Sequence, residues 1–191
     1  MPLDLAQTLV VGVASSALFD LGESDGVFTS QGEEAYREYQ REKRDDPFDP
    51  GVAFPFIKRL LSFNDLGGPD EPPVVEVIVL SRNDPQTGLR AMNSIAHHGL
   101  PITRAIFTQG QAPHAYIPAL NIKLFLSANA GDVLTATQAG FPAGAVRGTP
   151  AKDPTGQELR VSFDFDGVLA DDSSERIMQA EGLDAFQALR S

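Results

Sequence analysis

Short apolar runs alternate along this chain with longer stretches of helical periodicity. Thr8-Leu9-Val10-Val11-Gly12-Val13-Ala14 is too uniformly apolar to alternate, which predicts a strand buried on both faces, central in a sheet. Residues 33–44 predict a charged surface helix, closed by the turn-rich Asp45-Asp46-Pro47-Phe48-Asp49-Pro50-Gly51. Residues 53–63 predict a second helix, with Pro55 tolerable only in its first turn. Residues 64–73, rich in Gly, Pro and Asp, predict a loop.

A regular alternation follows. Strands are predicted over 74–80, 102–108, 122–126 and 143–146, and helices over 87–98, 113–120 and 132–139. Strands separated by single helices imply right-handed crossovers and a parallel sheet. The fold class expected is α/β: a three-layer Rossmann-like domain over residues 5–148. Residues 149–158, Thr-Pro-Ala-Lys-Asp-Pro-Thr-Gly-Gln-Glu, form a polar linker and the best domain boundary in the chain.

Beyond the linker, Leu159-Arg160-Val161-Ser162-Phe163-Asp164-Phe165-Asp166-Gly167-Val168-Leu169 alternates and then ends in two aspartates and a glycine. This pattern predicts a strand that delivers both carboxylates to its C-terminal tip, where ligands bind in an open α/β sheet. Helices are predicted from Ser174 to Glu181 and from Leu183.

Composition narrows the function. With 191 residues and 42% apolar content the chain can build a real core, and with no cysteine it can form neither disulfides nor thiolate metal sites. The net charge of -11 argues against a nucleic-acid duplex or an anionic membrane as the main partner. A phosphate ester would have to be held against that field by a metal ion or by loop amides. The longest apolar run, residues 9–19, is broken by Gly12, Ser15 and Ser16 and is too short to span a bilayer. The start, Met1-Pro2-Leu3-Asp4, has no basic secretory character, so a cytoplasmic protein is expected. His97, His98 and His114 lie at predicted helix ends and read as structural.

An offset of 150 residues aligns the end of the chain with its beginning: Val161 falls on Val11, Phe163 on Val13, Val168 on Leu18, Leu169 on Phe19, Glu175 on Asp25, Gly182 on Gly32 and Phe186 on Tyr36. Residues 159–191 therefore read as the start of a second, incomplete repeat. Asp164 falls on Ala14 and Asp166 on Ser16, so the first copy has the strand and turn without the acids.

Phe163-Asp164-Phe165-Asp166-Gly167-Val168-Leu169 resembles the first motif of the haloacid dehalogenase-like superfamily. Its company is similar to the cytosolic 5′-nucleotidase I family: Ser15-Ser16-Ala17-Leu18-Phe19-Asp20, Glu34-Ala35-Tyr36-Arg37, Ala53-Phe54-Pro55-Phe56, Asn93-Ser94-Ile95, Leu124-Phe125-Leu126-Ser127-Ala128-Asn129 and Gly182-Leu183-Asp184-Ala185-Phe186. That resemblance implies two tandem halves, the second acid-bearing and continued by further motifs, so the sequence reads as truncated before them. It also implies hydrolysis of nucleoside 5′-monophosphates, with Asp164 as nucleophile forming an aspartyl-phosphate and Asp166 as general acid and base. Mg²⁺ would be held by Asp164 and Asp166. Ser81, Arg82 and Asn83 end a strand where the superfamily places a phosphate-binding hydroxyl, and Asn129 and Asp132 sit where its metal-binding acids lie. These five residues are either phosphate and nucleotide contacts or, if the first half is a degenerate copy, relics or structural caps. The alternative is a catalytically silent nucleotide-binding or interaction module. The open edge of an incomplete second sheet favours a homo-oligomer.

Overall fold

The computed structural model describes residues 4–68, 71–149, 158–164 and 180. The chain divides into two compact units, Met1–Gln157 and Glu158–Ser191. In the first, five strands form one parallel sheet: β1 Leu9–Val13, β2 Val75–Ser81, β3 Arg104–Phe107, β4 Leu124–Ser127 and β5 Ala143–Ala145, in the order β3-β2-β1-β4-β5. Helices flank it: α1 Ser15–Leu18, α2 Gly22–Glu42, α3 Phe54–Leu61, α4 Pro85–His97 and α5 Ala130–Gln138. This is the Rossmann-like α/β arrangement expected from the alternation of periods.

The central position of β1 follows from its composition. Val10, Val11 and Val13 are all buried, because β1 is covered on both faces and bordered by β2 on one side and β4 on the other. Val10 and Ala14 pack with Ile78, Leu80, Ile117, Ile122, Phe125 and Ala136. Gly12 lies between them on the same face; a Cβ there would stand 3.1 Å from Ile122 and 3.3 Å from Phe125, so its lack of side chain sets how closely that layer approaches.

The helix ends follow local chemistry. Asp84 caps α4 by accepting from the backbone N–H of Gln86 at 2.8 Å, with Pro85 in the first turn, and Asn129 caps α5 by accepting from Gly131 and Asp132 at 2.9 and 3.2 Å. Pro55 sits in the first turn of α3, as expected, and the helix runs on into a 3-10 turn, Ser62–Leu66. His98 is structural: its Nε2 lies 2.8 Å from the Phe48 carbonyl oxygen and its ring packs on Phe19 and Phe54.

Three features differ from expectation. The helix predicted over 113–120 is only a 3-10 turn, Pro113–Tyr116. The helix predicted over 33–44 is the second half of α2, which begins at Gly22 and breaks at Gly32 (φ 84°, ψ -176°). The first half escaped detection because Gly22, Ser24, Asp25 and Gly26 are weak helix formers with no apolar stripe. The short α1 was also hidden, within the apolar run that follows β1.

In the second unit, the strand expected from Leu159 is not formed over its described residues, 159–164. Val161 and Phe163 are 48% and 65% exposed, and without a paired neighbour an alternating sequence has nothing to register against. Asp166, linker residues 150–157 and, apart from Ala180, the helices predicted from Ser174 and Leu183 lie outside the described residues.

Candidate functional site

Strand order reverses at β1: the chain steps from β1 to β2 and β3 on one side, then returns to lay β4 and β5 on the other. Ligands in open α/β sheets bind beyond the carboxyl ends of the strands at such a switch point. A cavity of about 330 Å³ opens there, lined by residues from the turns after β1, β2 and β4 together with Leu21, Asp25 and Tyr36 from the α2 region. All five positions singled out in the first half, Ser81, Arg82, Asn83, Asn129 and Asp132, line it.

The turns after β1 and β2 meet in a closed hydrogen-bond ring. The hydroxyls of Ser15 and Ser81 are 2.8 Å apart, Ser81 Oγ donates to Asn83 Oδ1 at 3.3 Å, and Asn83 Nδ2 donates to Ser15 Oγ at 2.9 Å. With Ser15 donating to Ser81, each member gives one bond and takes one, so the buried hydroxyls are satisfied among themselves. Beside the ring, Arg82 Nε donates to Asp132 Oδ1 at 2.5 Å, and Arg82 Nη1 donates to the Gly110 carbonyl at 2.9 Å. Asp132 is nearly buried in the first turn of α5, where the helix dipole favours its negative charge. Asn129 spends its Oδ1 on the cap of α5 and keeps its amide N–H donors.

The other wall comes from α2. The Phe28 and Tyr36 rings lie 5.6 Å apart although eight residues of unbroken helix would rise about 12 Å, so the helix folds back at Gly32 and brings Asp25 and Tyr36 over the same opening. Thr87 Oγ1 sits between Asp84 Oδ2 at 2.8 Å and Tyr36 Oη at 3.1 Å. Burial holds the Tyr36 phenol above its ordinary pKa, so it keeps its proton at neutral pH. Partial burial, reinforced by the Asp20 carboxylate, raises Asp25 above its ordinary value. Sequence reasoning missed Asp25 and Tyr36 as site residues. A signal was present, since both fall on matched positions of the 150-residue offset.

A second hollow of about 240 Å³ adjoins the first and shares Ser16, Leu21, Asp25 and Ala128 with it. Gly51 lines it, where the chain pairs with Phe19.

The donor set of the first half does not suit a divalent cation. Ala14 and Ser16 stand at the offset positions of the two acids, and Asp132 is already paired with a guanidinium. Among the described residues, no group of three or more His, Asp or Glu side chains could hold a metal ion. Asp164 is an exposed residue of the second unit.

A doubly wound parallel domain with a polar cavity at its switch point defines the class of protein. The 5′-nucleotidase family model matches residues 1–191, and the chain belongs to that family. It is 35% identical over 184 residues to human cytosolic 5′-nucleotidase 1B, an alignment that covers 93% of this chain and 30% of the relative. The chain thus spans about a third of the length of that relative. No solved structure matches.

Proposed function

We propose that the protein hydrolyses nucleoside 5′-monophosphates to nucleoside and phosphate, with Asp164 and Asp166 as the reacting pair. The observation that carries this is the 5′-nucleotidase family match over residues 1–191, which includes Asp164-Phe165-Asp166-Gly167. An Asp164 carboxylate oxygen attacks the phosphorus, the bond to the ribose 5′-oxygen breaks, and Asp166 gives that oxygen its proton. Asp166, now ionised, takes a proton from water as the water attacks the aspartyl-phosphate, and phosphate leaves with Asp164 restored. Two neighbouring carboxylates suit these roles because each raises the other's cost of ionising, leaving one charged and one protonated. Mg²⁺, held by Asp164 and Asp166, would offset the repulsion between carboxylate and phosphate.

Cytosolic location belongs to the same proposal and is supported by the name of the human relative. Among the described residues no helix is long and apolar enough to cross a membrane. Self-association through an open strand edge is also part of it and is read by sedimentation.

The test is Mg²⁺-dependent phosphate release from AMP by the purified 191-residue chain. Asp164→Asn is expected to reduce the rate about a thousandfold or more, as loss of a nucleophile does. A folded chain that releases no phosphate, or an Asp164→Asn variant as active as the parent, would overturn the proposal. A second reading, a silent binding module, is favoured by one observation: the first half carries Ala14 and Ser16 in place of acids and pairs Asp132 with Arg82. It expects ligand binding without turnover.

A further inference from the structure

We propose that the cavity between the β1, β2 and β4 turns binds a neutral nucleoside, by its sugar hydroxyls and base edge, and not a phosphate group. The choice of a nucleoside among neutral hydrogen-bonding molecules rests on the 5′-nucleotidase reading; the exclusion of phosphate rests on the cavity itself.

A dianion needs positive charge or a set of unspent donors. The cavity's cation is Arg82, and its charge is matched by Asp132 at 2.5 Å. Asp25 adds a second carboxyl group to the lining, so there is no surplus of positive charge for a phosphate to meet. Several of the donors that could replace it are engaged. The Ser81 hydroxyl is turned to Asn83, one Asn83 N–H is turned to Ser15, and Arg82 gives Nε and Nη1 to Asp132 and Gly110. The net charge of -11 adds an unfavourable long-range field.

What the lining does offer is a mixture of acceptors and weak donors. The Asp25 and Asp132 carboxylates can accept from vicinal sugar hydroxyls, the use that dinucleotide-binding folds make of an acid near the ribose. The Asn129 amide N–H groups and the Tyr36 phenol can serve the base edge, while Leu21 and Ala128 supply apolar wall. About 330 Å³ lies at the small end of ligand pockets, in keeping with a nucleoside-sized occupant. Ala14, where the offset places Asp164, puts no carboxylate at the position of the proposed nucleophile, so an occupant is held and not consumed. A nucleoside is also the product of the proposed reaction.

The experiment is titration calorimetry on the 191-residue Asp164→Asn chain without Mg²⁺, so that nothing is hydrolysed and the result does not depend on turnover. Adenosine, cytidine, AMP and inorganic phosphate are compared. A nucleoside is expected to bind at least about tenfold more tightly than inorganic phosphate, and Asp25→Ala to weaken it about tenfold, the loss of one hydrogen bond to a charged group. Tyr36→Phe, which keeps the ring, is expected to weaken it less. Circular dichroism of each variant verifies the fold. The proposal is overturned if a folded chain binds neither nucleoside, if phosphate or AMP binds more tightly and loses that affinity on Arg82→Gln, or if nucleoside binding is unchanged in both Asp25→Ala and Tyr36→Phe. Because none of these outcomes measures catalysis, failure here is distinct from failure of the hydrolase proposal.

Discussion

A methyl group at Gly51 would stand 2.7–2.8 Å from the backbone of Phe19, closer than real Cβ contacts allow. The approach is tight because Gly51 donates its N–H to the Leu18 carbonyl at 2.8 Å, while Asp20 donates to Asp49 at 2.9 Å, pinning the segment after α1 to the turn before α3. Neither side can retreat without losing these bonds, and both border the second hollow. Gly51→Ala is expected to cost about 1–3 kcal/mol, as overpacking does, measured as a lower urea midpoint at unchanged slope. Glu76 offers a test by pH. Burial holds its carboxyl above the ordinary value of 4.5, and the guanidinium of Arg104, 3.2 Å away, only partly opposes this. Because the folded state favours the protonated form, the contribution is full below pH 4.5 and is lost as pH rises through the raised value. Glu76→Gln is therefore expected to gain stability relative to the parent between pH 4 and pH 7 in urea titrations; a parent advantage that grows over that range would mean the Arg104 pair dominates. Neither constraint was legible in the sequence, since each depends on a neighbour far along the chain.

At the scale of elements, α2 shows what local pattern can and cannot specify. Its second half is legible because Glu33, Arg37, Glu38 and Arg41 form ion pairs three and four residues apart on an exposed face. Its first half has little intrinsic tendency to be helical, and the fold-back at Gly32 uses a backbone conformation that other residues rarely adopt. Gly32→Ala is expected to cost about 1–3 kcal/mol and to act locally. Hydrogen exchange should quicken within residues 22–42 while the strands keep their protection; equal protection of α2 in both proteins would show that the turn tolerates a side chain. The strands were easier to read. Their apolar runs are short, bounded by turn residues and separated by helical periods, and β1 and β2 in particular could not be mistaken for exposed elements.

Across the whole molecule, the sequence by itself determined the α/β class, the parallel sheet, the polar turns that join strands to helices and the acid-bearing segment around Asp164. These are encoded by periodicity, by side chains that bond their own neighbouring backbone, and by a motif contiguous in the chain. Only the tertiary structure decided how the capping and polar residues combine. Ser15, Ser81 and Asn83 close a ring across 68 residues of chain, and Arg82 and Asp132 neutralise one another across 50. Asp25 and Tyr36 complete the cavity from a helix that folds back over it. The physical reason is that hydrogen-bond and charge partnerships fall off within a few ångströms, so which polar groups remain available to a ligand is settled by the parallel crossovers that bring three distant turns to one edge of the sheet.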